Sequence, residues 1–251
     1  MAVRTDASSR FGKDHRWGMF WSLGLMWNIK NEPFLKDIEW LTGAQIALST
    51  GTSGNSEIPY YDHLALVSGG PKYNDEAGIY PKQSGNEELS WEQTWSNNIG
   101  LRLGFFNRVN LDIDFYHKKT TDMLMSVPES YAITGEGYRW DNIGAMVNRG
   151  VEVSVNSDII RTKDFTWNLN ANVSYNKNKL VELYNGVQEY VNSTTGLKFV
   201  VGHPVHEYFL NRYAGVNPAN GDALWYTKDG ELTTEFNEGD KVMTGKTFDA
   251  P

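Results

Sequence analysis

The sequence predicts an all-β fold, an antiparallel transmembrane β-barrel represented in part: about eight strands of a larger barrel, with long loops on one rim and short turns on the other. Three observations carry this expectation. Apolar and polar residues alternate with period two over stretches of nine or more residues, longer than the five or six of a soluble strand. The polar positions hold Asn, Ser, Gly and Asp more than the Lys and Glu of a solvated surface. Connections alternate between short and long along the chain, which places every short one on the same side, as in outer-membrane barrels.

Val3 to Asp6 reads as the tail of a strand. Trp17, Met19, Trp21, Leu23, Leu25, Trp27 and Ile29 then share one face, opposite Gly18, Ser22, Gly24 and Asn28. Asn31 to Trp40 reads as a helical turn, with Asn31 as cap and Pro33 at an early helical position. Ala44, Ile46 and Leu48 alternate weakly with Gln45, Ala47 and Ser49. Ile99, Leu101, Leu103 and Phe105 form the next face, and Val109, Leu111, Ile113 and Phe115 the one after it. Val151, Val153 and Val155 follow. The clearest strand is Phe165 to Tyr175, where every odd position is apolar or aromatic and every even one is Thr, Asn or Ser. Eleven residues rise about 36 Å, or about 28 Å vertically at a tilt near 40°, enough to cross the hydrocarbon core.

Short turns are expected near Phe106-Asn107-Arg108 and Arg161 to Asp164, and long excursions at about 51–91, 118–148 and 177–205. Trp27, Phe105, Phe165 and Trp167 fall towards the short-turn end, and Trp17, Trp95, Phe115 and Tyr175 towards the long-loop end. Two such bands suit the two bilayer interfaces. Beyond Gly202, His206 to Tyr213 and Ala223 to Tyr226 read as strands around the turn-rich Asn217 to Asp222.

The composition agrees: 9 Trp, 13 Tyr, 11 Phe and 24 Gly stand beside only 40% hydrophobic residues. A net charge of −8 disfavours nucleic acid, which demands clustered cations. With no cysteine there is no disulfide or thiolate chemistry. No run approaches the 18 or so apolar residues of a membrane-spanning helix. Arg4, Asp6, Arg10, Lys13 and Asp14 interrupt any signal-peptide core, so the chain is expected to begin within a domain.

Several stretches resemble the SusC/RagA family of TonB-linked outer-membrane proteins. They are Ser8-Ser9-Arg10-Phe11-Gly12 before Arg16-Trp17-Gly18, Gly24 to Ile29, Ser49 to Asn55, and Leu89-Ser90-Trp91-Glu92 leading into Asn98-Ile99-Gly100-Leu101. Further on come Tyr116 to Leu124, Asn142-Ile143-Gly144 with Asn148 to Glu152, and Ser174 to Lys179. The resemblance implies a plugged barrel of twenty-two strands in the bacterial outer membrane. Such proteins import oligosaccharides or peptides with energy from the TonB complex, under a SusD-like surface lipoprotein. On that reading residues 1–251 are one partial TonB-dependent receptor barrel domain, without plug, TonB-contacting box, signal peptide or final strands. The alternatives are a soluble all-β glycan-binding module and a structural or adhesive outer-membrane barrel.

Catalytic motifs are missing: there is no G-x-S-x-G, P-loop, H-E-x-x-H or dinucleotide fingerprint, so no enzyme, cofactor or metal is expected. His203 and His206 lack a third ligand nearby, Asp112 and Asp114 read as lumen carboxylates, and Asn217 to Asp222 reads as a turn rather than a Ca²⁺ loop. The loop aromatics Tyr60, Tyr61, Trp91, Tyr131, Tyr138 and Trp140 could stack on substrate or pack the loops. Tyr138, Trp140 and Trp91 are the candidate substrate-binding residues, since Gly135 and Gly137 leave the backbone adaptable near the first two.

Overall fold

Apolar-polar alternation becomes a single antiparallel sheet. The computed structural model describes residues 1–73, 75–128, 130, 138–191, 197–205 and 207–247, with the side chains of residues 71, 73, 128 and 138 left out. The sheet has seven strands: β1 (Ala2–Ala7), β2 (Trp17–Trp27), β3 (Leu41–Asn55), β4 (Glu92–Phe105), β5 (Val109–Thr121), β6 (Ala145–Arg161) and β7 (Thr166–Glu182). Each pairs with the next in this order, and the sheet stays open between β1 and β7. The expected number was about eight. After Glu182 the described chain makes only small two- and three-stranded units instead of another wall strand.

Register converts each strand's alternation into lateral rows. Trp27, Ile46, Leu101, Ile113, Val153 and Val173 form one row, and Leu25, Leu48, Ile99, Phe115, Val151 and Tyr175 the next. These side chains face outward and many stay exposed, Val173 at 68% and Leu25 at 63%. A broad apolar patch of this kind has no counterpart on an ordinary soluble surface and needs lipid or protein against it. The soluble-module alternative therefore fails on the wall itself.

The apolar band also runs diagonally across the sheet. Leu25 and Tyr175 share a row, yet the remaining apolar residues of β2 (Leu23, Trp21, Met19, Trp17) lie mostly on its long-loop side. Those of β7 (Val173, Ala171, Leu169, Trp167) lie on its short-turn side. A flat hydrocarbon slab crossed by strands tilted about 40° cuts the sheet in this way.

The opposite face is polar and holds itself together laterally. Asn156 Nδ2 donates to Asn170 Oδ1 (2.6 Å), Asn178 Nδ2 to Asn148 Oδ1 (2.7 Å), and Asn168 Nδ2 to Asp158 Oδ1. Tyr116 lies across Gly150 and its hydroxyl reaches Asn176 Oδ1 at 3.1 Å. Gly150 is required there, because a Cβ would overlap the Tyr175 carbonyl oxygen as well as the Tyr116 ring. Gly150→Val should therefore destabilise the β6–β7 pairing by about 1–3 kcal/mol, read as faster hydrogen exchange along β7. Exchange as slow as in the parent protein would show that the backbone has room.

Strands run further than alternation suggests. β3 was legible only at Ala44 to Leu48 because its later outward positions are Thr50 and Thr52, which carry the ladder on through polar contacts (Thr50 Oγ1 to Asn97 Oδ1, 2.8 Å). The long connections shrink accordingly to 56–91 and 122–144, and each contains a hairpin: Leu66–Tyr73 with Glu76–Gln83, and Leu124–Pro128 with Tyr138–Asn142. The expected helical turn is a single one, with Lys36 N donating to the Glu32 carbonyl at 2.9 Å, and a shorter helix precedes it. Ile29–Asn31 is 3-10 helix, so Asn31 is inside it and does not cap it. The segment after it is gathered by Lys30 Nζ, which donates to the carbonyls of Leu35, Lys36 and Ile38 at 2.8–2.9 Å. Trp40 stacks on Phe105 at 6.0 Å and, with Trp27 and Trp167, supplies aromatics at the short-turn end.

Past β7, Glu189–Val191 pairs with Lys198–Val200, and Glu207–Leu210 with Val242–Thr247. Arg212–Val216, Ala223–Tyr226 and Leu232–Thr233 form a three-stranded unit. The two clusters of buried apolar residues both lie at the loop end: Met123, Met125, Leu180 and Leu183 in one, Phe11, Ile58 and Leu89 in the other.

Candidate functional site

The inner wall and the loop rim above it are the surfaces a solute would meet. On the inner wall, Gln45, Arg102, Asp112, Ser154 and Asn172 make one lateral row. Arg102 Nε stands 3.8 Å from Asp112 Oδ1, with both side chains nearly half exposed. Asp114 lies over Gly100, where a Cβ would come 2.6 Å from its Oδ1. Gln45, Arg102 and Asp112 of this row, with Asn107, Asn110 and Asn156, bound an open recess of about 690 Å³. Amides, one guanidinium and scattered carboxylates offer donors and acceptors to water and polar solutes. The two carboxylates occupy different rows, each with its own neighbour, and do not converge on a common atom.

The rim is built on aromatic packing. Phe20 departs from the alternation of β2, an aromatic on the polar face, and is 3% exposed. Glycines 18 and 54 leave space for its ring, since a Cβ on either would collide with it. Trp91 meets Phe20 edge-on at 5.4 Å and Phe11 at 5.5 Å, and its Nε1 donates to the Arg16 carbonyl at 2.9 Å. Phe11, Ile58 and Leu89 are buried there, with Trp91, Leu124 and Trp140 packed against them. Residues from five separate segments thus share one apolar anchor.

The hairpin that carries Trp140 is latched to the 86–91 loop by two asparagines. Asn142 Oδ1 accepts from Ser90 N at 2.6 Å, while its Nδ2 donates to the carbonyls of Ser90 (2.9 Å) and Asp122 (3.0 Å). Asn86 Nδ2 donates to Trp140 O (3.1 Å) and Asp141 Oδ1 (3.0 Å). Glu92 Oε2 accepts from Leu124 N. The loops on this side therefore form one connected platform.

Among the candidates read from sequence, the fold brings Trp91 and Trp140 into one cluster, both half-buried. Tyr138 pairs with Pro128 in the same hairpin, but its side chain lies outside the described residues. Tyr131 lies outside them altogether. Tyr60 and Tyr61 are exposed, and Arg10 stacks on the Tyr60 ring at 4.7 Å. The sequence reading missed Phe11, Phe20, Ile58 and Leu89; the signal available was Phe20 breaking the alternation between two glycines. His203 Nδ1 lies 2.8 Å from Glu207 Oε2, a buried carboxylate whose Oε1 accepts from Gly245 N at 2.6 Å; His206 lies outside the described residues. Asn217 to Asp222 is a turn closed by its own side chains, with Asn217 Oδ1 accepting from Ala219 N and Asn220 Nδ2 bonding Asp222.

An open, meandering antiparallel wall with a greasy outer face and a loop platform is the geometry of one part of a large barrel. The family model for the TonB dependent receptor-like β-barrel matches residues 1–247. The chain belongs to the TonB-dependent receptor β-barrel family. It is 35% identical over 271 residues to the TonB-dependent receptor SusC of Bacteroides thetaiotaomicron, covering 97% of this chain and 26% of SusC. It is 39% identical over 183 residues to the TonB-dependent receptor P39 of Formosa agariphila, covering 72% of this chain and 18% of that protein. The solved structure of the RagAB peptide transporter superposes with a TM-score of 0.86 at 34% identity, over 98% of this chain and 28% of that one. The RagAB peptide importer in its closed-closed state gives 0.84 at 35% identity. This TonB-dependent receptor chain thus corresponds to about a quarter of the length of SusC and of the RagAB chain, and it is an outer-membrane β-barrel sequence.

Proposed function

We propose that the chain supplies barrel wall and external loops to a TonB-dependent outer-membrane importer of oligosaccharides or peptides, with no catalytic role. The observation that carries this reading is similarity along nearly the whole chain, at 34–35% identity, both to SusC and to the RagAB peptide importer. In this reading the long-loop rim is external and docks a SusD-like lipoprotein over the lumen, while the TonB complex acts through another part of the full-length protein. Trp140 and Tyr138 contact the substrate or the lipoprotein, and Trp91 holds the rim beneath them. The connected loop platform supports this role, because rigid loops bind with less ordering cost than free ones.

The test replaces residues 129–137 with Asn-Gly in the full-length protein, which closes the hairpin at Pro128 and Tyr138 and leaves its ladder and the buried Met125 in place. Barrel insertion, read as heat-modifiable migration, is expected to be unchanged. Co-purification of the lipoprotein and uptake should both fall severalfold. Unchanged values for both would remove this hairpin from the partner and substrate reading. Parallel uptake of labelled oligosaccharides and peptides decides which class is carried.

A further inference from the structure

The outer face of the wall does not stay apolar up to the loops. One pleat above the row of Phe115, Val151 and Tyr175 stands a second lateral row: His117, Arg149 and Lys177, each the direct cross-strand neighbour of the next. One pleat higher, Lys119 and Lys179 flank Val147. All five continue the outward-facing, odd-numbered series of β5, β6 and β7, and all five are exposed. Paired strands lie about 5 Å apart, so these five side chains, four of them Lys or Arg, occupy a patch about 10 Å wide.

Their position is defined by the band beneath them. The apolar stretch from Phe165 along β7 to Tyr175 spans about 36 Å, or about 28 Å vertically, enough to cover the hydrocarbon-facing band of an outer-membrane barrel. The next outward residue, Lys177, therefore stands at headgroup level in the leaflet on the loop side.

Among the described residues, none of the five has a carboxylate within ion-pair distance, whereas Arg102, Arg139, Arg161, Lys198 and Lys241 each do. Of the acidic residues on the same strands, Asp112, Asp114, Glu152 and Asp158 sit on the lumen face, and Glu182 stands at the loop end of β7, opposite Ala145 and past a register shift. Across β4, the outward neighbours of His117 and Lys119 are Asn97 and Trp95, neither of them acidic. A chain of net charge −8 has gathered uncompensated cations on the lipid side of three adjacent strands.

We infer that this patch binds the phosphate groups of a phosphorylated glycolipid in the outer leaflet. The Arg149 guanidinium can grip phosphate oxygens in a fork, with Lys177, Lys119 and Lys179 as point charges around it. Phe115, Val151, Val153 and Tyr175, directly below, receive the acyl chains. An occupant with an anionic head and hydrocarbon tails uses both surfaces, while free phosphate uses only the first.

The experiment uses the full-length transporter in detergent, incubated with bis-phosphorylated lipid A, with dephosphorylated lipid A, or with inorganic phosphate alone. Retained lipid per protein is measured by mass spectrometry, and stabilisation by thermal shift. The parent protein is expected to retain the bis-phosphorylated lipid, and Arg149→Gln with Lys177→Gln to lower retention about tenfold or more. Lys118→Gln, on β5 between His117 and Lys119 but facing inward over the Tyr116 ring, should leave it unchanged. If the first double variant does not reach the heat-modifiable barrel form, Lys119→Gln with Lys179→Gln gives the same reading with a similar expected loss. Equal retention by parent and variants, equal binding of the dephosphorylated lipid, or equal stabilisation by phosphate alone would each overturn the assignment.

Discussion

Arginine at Leu169 or Ala171 should lower folding stability by about 2–4 kcal/mol in the full-length protein, because both stand in the middle of the β7 apolar band and face lipid. Leu169 lies beside Ser157 and Ala171 beside Val155, with no carboxylate in either row to receive a cation. An arginine there must snorkel past Val173 and Tyr175 on one side or Trp167 on the other. Asn170→Arg, one residue away, points into the polar face. It gives up the 2.6 Å bond from Asn156 Nδ2 but stays solvated, so its cost should fall below about 1 kcal/mol. The contrast is read by denaturant titration of the barrel in lipid vesicles. Equal tolerance at Leu169 and Asn170 would mean that the two faces have been assigned wrongly.

Phe11→Ala should have the largest effect at the rim, about 3–5 kcal/mol of local stability, since Phe11 is 0% exposed and its loss leaves a ring-sized cavity. Phe11 meets Trp91 edge-on and shares its cluster with Ile58 and Leu89. The segments 8–16, 56–58 and 86–91 should therefore loosen together, while β5 and β6 do not. Hydrogen exchange in the full-length transporter resolves these segments separately. Tyr61→Ala, at an exposed position, is the control and should change nothing. If exchange at 86–91 is unaffected by Phe11→Ala, the loop platform is held by the Asn86 and Asn142 bonds rather than by the cluster.

What was legible in the sequence was the part controlled by a local period. Side chains of an extended strand alternate faces whatever the partner strand is, so Phe165 to Tyr175 announced a lipid-facing strand unaided, and the lopsided connections announced a barrel rim. β3 was only partly legible, because Thr50 and Thr52 extend the ladder by hydrogen bonds and leave no hydrophobic period. The rim was flagged by its aromatics but not explained by them. Trp91 donates to a carbonyl at Arg16, 75 residues earlier, and Phe20 becomes a core residue only because Gly54 of the neighbouring strand leaves it space. The basic patch was invisible for the same reason: His117, Arg149 and Lys177 are far apart in the chain and become neighbours through register alone. Alternation decides which way a side chain points, but cross-strand pairing decides what stands beside it, and that pairing is set by the whole sheet.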